Sequence, residues 1–178
     1  MTDRAVLPLL LRGWDDAWER LDRRLIGLTD EEYLWEPVPG CWTVRAEGGG
    51  WVADWADPEP DPAPVTTVAW RLGHLASGCL ASYLDRSPAG RPLAVTGQEW
   101  HGDAETALRD LRIAAEAFRG TAVALGEDGI WQPLGPAWGP YAEDSWADLV
   151  VHAVDELAHH GAELALLRDL YRAQTASR

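Results

Sequence analysis

No lysine occurs anywhere in the 178 residues, so every basic side chain is arginine, and 29 acidic residues against 15 basic ones leave a formal net charge of −14. A field of that sign repels a phosphate backbone unless a local basic patch offsets it, and no such patch is visible. Nucleic acid is therefore not an expected partner. Cysteine is scarce as well: Cys41 and Cys79 have neither metal nor redox spacing. They are expected to be ordinary buried thiols in a reducing cytoplasm, without a disulfide framework. No apolar run approaches the roughly 20 residues needed to cross a bilayer. The opening stretch, interrupted by Pro8 and soon charged, reads as the start of a helix rather than a secretory signal. A phosphate-cradling glycine loop, a dinucleotide fingerprint and a serine nucleophile with partners are also missing, which removes the enzyme classes that depend on them.

What the chain does have is 47% hydrophobic content, enough for a single domain with a substantial core over residues 1–178. Its eleven tryptophans follow no fixed period. Most are expected in inter-helix packing, with one or two lining a pocket. Leu7, Leu10, Trp14, Ala17, Leu21, Leu25 and Leu28 recur at three- and four-residue spacing, predicting a first helix over about 6–28. Thr29 caps a short helical piece after it. The run from Cys41 to Trp55, centred on Gly48-Gly49-Gly50, is a small hairpin or an ordered loop. The proline-rich stretch 57–64 is a stiff connection. A second helix begins at Thr66 or Thr67 and ends near Asp85, with Val68, Leu72, Leu75, Cys79 and Tyr83 inward. After an insertion over 86–102, a third helix is capped by Asp103 and runs to about Leu125. The last starts at Ser145 and ends near Arg172. Four long helices with irregular connections define an all-α four-helix bundle.

Chemistry concentrates in the last helix, in the run Asp155-Glu156-Leu157-Ala158-His159-His160-Gly161, together with one isolated histidine, His74, in the second. Asp155 and His159 are one helical turn apart on the same face, and with His74 they make a three-donor set of the kind that holds a divalent metal with one position open. Helix phase leaves a second choice. Trp146, Leu149, Val150, Ala153, Leu157, Leu164, Leu167 and Tyr171 point within roughly 60° of one direction at 100° per residue. His160 points into that cluster and Glu156 lies at its edge, whereas His152, Asp155 and His159 form a stripe farther round. His74 lies about 100° from Leu75, at the border of its own apolar stripe. Arg71 and Gly73 beside it read as surface charge and close helix packing.

The segments Thr67-Val68-Ala69-Trp70-Arg71-Leu72-Gly73-His74-Leu75 and Asp155 to Gly161, with Leu28-Thr29-Asp30-Glu31-Glu32-Tyr33 before Trp35 and Pro37, resemble the DinB/YfiT-like superfamily. That superfamily includes the mycothiol-dependent maleylpyruvate isomerase N-terminal domain, and the likeness covers nearly the whole chain. It implies a four-helix bundle with a histidine on the second helix and a His-x-x-x-His-x-Gly-like signature on the last. Placing Gly161 in that register assigns the ligand positions to His74, Asp155 and His159, with Asp155 replacing the commoner first histidine. The resemblance further implies a divalent metal, zinc or nickel, a small-molecule substrate and a low-molecular-weight thiol cosubstrate for S-transfer or isomerisation. Homodimerisation through exposed helix faces is also part of what it implies. A bound ion of this kind lowers the pKa of a coordinated water or thiol. The alternative from a different class is a non-catalytic helical module with a degenerate metal site, binding a small ligand or a partner protein.

Overall fold

The computed structural model describes residues 5–58, 60–87, 90–95 and 99–176. The first helix, α1 (Leu7–Leu25), carries its apolar spacing onto one face and buries Trp14, Ala17, Leu21 and Leu25. It ends one turn earlier than its periodicity predicts, because the backbone turns extended at Ile26. Thr29 then caps the one-turn α2 (Asp30–Tyr33), its hydroxyl accepting from the Glu32 amide at 3.3 Å.

The glycine-rich stretch resolves as a hairpin. Strands β1 (Val44–Glu47) and β2 (Gly50–Ala53) pair antiparallel with Glu47 opposite Gly50. The two-residue loop Gly48-Gly49 has φ of 60° and 85°. Both residues are in the left-handed region that tight hairpin turns require and that glycine enters without a Cβ clash.

The second helical run is not a uniform α-helix. Thr67 caps α3 (Val68–Gly73) by accepting from the Trp70 amide at 3.2 Å. From His74 to Ala81 the chain winds as a π-helix, and α4 (Ser82–Asp85) completes the run. Asp103 caps α5 (Ala104–Gly129), which has a break at Gly126, close to the predicted end. A 3-10 turn (Pro136–Tyr141) leads to α6 (Trp146–Thr175), which opens with a reciprocal capping box between Ser145 and Asp148. Among the described residues, the long helical elements and one two-stranded sheet make the fold all-α. Part of the 86–102 insertion lies outside the described residues. Its described end runs over the second helical run, where Ser77 donates to the Glu99 carbonyl at 3.3 Å.

Helix α1 packs along α6 and α5, and the π-helix packs against α5 and α6. Trp14 stacks on Phe118 of α5 with ring centroids 5.0 Å apart. One ion pair in this interior was not foreseen from the sequence. Arg168 of α6 is fully buried and donates from Nε and Nη2 to the two oxygens of Glu32, at 2.7 and 2.8 Å, and from Nη1 to the carbonyls of Arg24 and Ile26. One guanidinium thus ties α6 to α2 and satisfies carbonyls at the end of α1 that no helical amide reaches. Among the described residues no helix is long and apolar enough to cross a membrane.

Candidate metal centre

Two elements bring the donors together. On α6, His152, Glu156 and His160 are spaced by four residues and share a face. Glu156 Oε2 lies 3.1 Å from His160 Nε2, and Glu156 Oε1 lies 3.7 Å from His152 Nε2. From the facing π-helix, His74 brings Nε2 to 3.5 Å from the same Glu156 Oε2. The His74 and His160 rings meet edge to face with centroids 4.9 Å apart.

The π winding determines a further member. In an α-helix, residues five apart point about 140° away from each other at 100° per residue. A π-helix repeats its hydrogen bonds at five residues, which sets such a pair one above the other. Cys79 Sγ therefore lies 3.5 Å from His74 Nε2, and its thiol donates to Glu156 Oε2 at 3.3 Å. Glycine at 78 leaves room for the imidazole: a Cβ there would lie 3.2 Å from His74 Nδ1.

His160 is held from behind. Its Nδ1 lies 2.7 Å from Glu163 Oε2, and Arg71 in turn grips Glu163, with Nε 2.9 Å from Oε2 and Nη2 donating to Oε1 at 3.2 Å. A carboxylate on one ring nitrogen fixes the tautomer and aims the other at a metal or acid partner. Arg71 is thus a half-buried member of the network rather than a surface charge, while Gly73 is a packing position, as expected. Its Cα hydrogen faces Trp100, whose ring atoms would be 2.3 Å from a Cβ.

The charges reinforce the geometry. Hydrogen bonds with His160 and His74 hold the Glu156 carboxyl well below the usual carboxylate range, against the effect of burial. Burial works against a charged His160, but Glu156 and Glu163 outweigh it and raise its pKa above the ordinary histidine value. Burial, with the charge of Glu156, pushes the Cys79 thiol up.

The structure places the three sequence-predicted donors differently. His74 faces α6, with its ring against His160 and its Nε2 toward Glu156. Asp155 is exposed, and among the described residues it belongs to none of the groups whose donor atoms converge. His159 is exposed on the rim, 3.5 Å from Glu163 Oε1, in a group with His160 and Glu163. The residues brought to His74 are Glu156 and His160, the pair that helix phase had pointed inward. Gly161, the register mark of the motif, faces Leu21 of α1, where a Cβ would find ordinary contact at 3.6 Å. A third convergent group, Glu99, His101 and Asp110, lies apart from this cluster.

A cavity of about 230 Å³ opens onto the donors, lined by Trp42, Trp55, Trp70, Arg71, His74 and His160. Trp70 stacks on His74 at 5.2 Å, and Trp42 lies 5.7 and 5.8 Å from Trp70 and Trp55. Backbone pairing pins this wall: the Trp42 amide donates to Val65, the Thr67 amide donates to Trp42, and the Trp70 indole donates to the Asp54 carbonyl at 2.9 Å. Three tryptophans, rather than one or two, therefore border the pocket.

In this helical bundle, histidine and carboxylate donors on two facing helices meet beside an aromatic pocket, an arrangement that could hold a metal ion. The DinB superfamily profile matches residues 14–164, and the chain belongs to that superfamily. No curated protein and no solved structure matches the chain.

Proposed function

We propose that His74, Glu156 and His160 hold a divalent metal, zinc or nickel, and that the protein uses it on a small-molecule substrate with a low-molecular-weight thiol as cosubstrate, in S-transfer or isomerisation. The observation that supports this reading is that imidazole nitrogens from two helices, His74 Nε2 and His160 Nε2, both lie within 3.5 Å of one carboxylate oxygen, Glu156 Oε2. Tetrahedral zinc with bonds near 2.0–2.1 Å needs nitrogen and oxygen donors about 3.3–3.4 Å apart. The contacts of Glu156 with His160 and His74, at 3.1 and 3.5 Å, bracket that spacing. Two histidines and one carboxylate leave a position open, and a bound ion there supplies Lewis acidity toward water or a thiol.

The chain's own residues supply the rest. Glu163, steadied by Arg71, keeps the Nε2 of His160 turned toward the centre. The tryptophan wall offers apolar faces to the substrate, and Arg71 offers the nearest positive charge. At about 230 Å³ the cavity is below the roughly 300–1,000 Å³ of drug-sized sites, which suits a small metabolite or the reactive end of a thiol. The same donors also satisfy one another as an ion-pair network, and that observation favours the competing reading of a non-catalytic module with a degenerate site.

Metal content after stripping and zinc reconstitution decides between them. Under the proposed reading, Glu156→Gln and His160→Ala abolish stoichiometric binding, while Asp155→Asn leaves it intact. Failure of the wild-type protein to take up zinc or nickel would leave the module reading standing. Loss of binding on Asp155→Asn alone would return the ligand role to the exposed residue.

A further inference from the structure

We infer that Cys79 is a fourth protein ligand of this centre, so that the metal sees two histidines, one carboxylate and one thiolate. The inference rests on the metal reading of His74, Glu156 and His160 and places Cys79 at the position that reading leaves open, so that a substrate or cosubstrate thiol reaches the ion by expanding its coordination to five or by displacing the Cys79 thiolate.

The geometry argues for it in two ways. A zinc–sulfur bond of about 2.3 Å and zinc–nitrogen or zinc–oxygen bonds near 2.0–2.1 Å place a tetrahedral sulfur about 3.5 Å from its neighbouring donors. Cys79 Sγ is 3.5 Å from His74 Nε2 and 3.3 Å from Glu156 Oε2, and one donor atom from each of these three residues lies within 4.8 Å of the other two. The thiol also hydrogen-bonds with Tyr83, and one packed for volume alone has no reason to meet an imidazole and a carboxylate as well.

The backbone is the second argument. An eight-residue π-helix over His74–Ala81 gives up the preferred helical winding, and its effect on the donors is to align residue 79 with residue 74. In α-geometry the thiol would point about 140° away. The winding that makes the pair is thus the feature of this helix that an ordinary core position would not require.

Binding is balanced simply. The divalent ion replaces the thiol proton that Cys79 now donates toward Glu156 and, where His160 is charged, the Nε2 proton of that ring; the sulfur–metal bond forms as the S–H bond breaks, and each displaced proton leaves to solvent. A thiolate in the set also biases selectivity, since sulfur favours zinc and cobalt over hard oxygen-seeking ions such as manganese.

Cobalt(II) substitution separates this inference from the reading beneath it. Stripped wild-type protein titrated with cobalt is expected to develop visible d–d bands and, in addition, a near-ultraviolet thiolate-to-cobalt charge-transfer band. Cys79→Ala and Cys79→Ser keep the d–d bands and lose the charge-transfer band, and Cys41→Ser keeps both. Zinc affinity of the Cys79 variants falls at least the roughly 10- to 100-fold that loss of a single outer partner costs, while manganese affinity stays nearly unchanged. X-ray absorption on zinc-loaded wild type, which needs no variant to fold, shows one sulfur at about 2.3 Å. Cobalt binding without a charge-transfer band, a band that survives Cys79→Ala, or a zinc shell without sulfur would overturn the inference and leave a three-ligand centre. Absence of any cobalt spectrum in wild type would overturn the metal reading itself.

Discussion

Replacing Glu163 with glutamine changes one atom and removes one charge, yet it tests how the whole centre is oriented. The carboxylate sits 2.7 Å from His160 Nδ1, the short distance of a charge-assisted hydrogen bond, and His160 turns its other nitrogen to Glu156 at 3.1 Å. Loss of such an outer partner costs metal affinity roughly 10- to 100-fold, about 1.4–2.8 kcal/mol. The Glu163 side chain is 34% exposed while that of His160 is 9% exposed, so water screens one end of the bond, and the lower half of that range is expected. Competition with a chromophoric zinc chelator on stripped protein measures the effect directly. His159→Ala serves as the control, because His159 also approaches Glu163, at 3.5 Å, yet its side chain is 61% exposed. The expected result is a clear loss for Glu163→Gln and a change within about two-fold for His159→Ala, judged against that outer-partner range. Equal losses in the two variants would mean that the ion sits on His159, His160 and Glu163 instead, and an unchanged Glu163→Gln would refute the positioning role.

Three other perturbations have defined outcomes. Arg168→Ala leaves Glu32 charged and buried, and should cost about 3–5 kcal/mol in denaturant unfolding; the double change Arg168→Met with Glu32→Gln should recover most of it, and a single-variant loss below about 1 kcal/mol would contradict the buried pairing. In the metal-free protein the Glu156–His160 pair stabilises the fold within a pH window. The lowered pKa of Glu156 makes its contribution complete above about pH 4.3 and lost on further acidification, while the raised pKa of His160 makes its contribution complete below about pH 6.5 and lost as pH rises through the folded value. Stability of wild type relative to His160→Gln should thus decline on the alkaline side, and a flat difference across neutral pH would count against the pair. Gly73→Ala forces Trp100 aside, because a Cβ would meet its ring at 2.3 Å, and should lower stability by about 1–3 kcal/mol with an altered near-ultraviolet circular dichroism; an unchanged spectrum would show that the ring does not cover that position.

Much of the scaffold was determined by local sequence. Three-and-four spacing, the caps at Thr29, Thr67, Asp103 and Ser145, and the glycine pair of the hairpin are properties of neighbouring residues, and each appears where short-range physics puts it. Helix phase likewise turned His160 and Glu156 inward, because one arc of α6 is apolar and a helix has one phase. The glycine register pointed instead to Asp155 and His159, and no local rule ranks a motif register above a phase.

Only the tertiary structure decided what that face meets. Cys79 joins His74 because the second helix changes its winding, which a period of 3.6 cannot reveal. Glu163, Arg71 and the buried Arg168–Glu32 pair link residues 92 and 136 positions apart, and charged side chains read as surface until a partner far along the chain is placed against them. The sequence by itself determined the helices, their caps and the histidine–carboxylate repertoire. Which of those donors converge, and on what wall of tryptophans, was set by the docking of α6 against the π-wound helix, because convergence depends on distances between elements that no spacing along one of them contains.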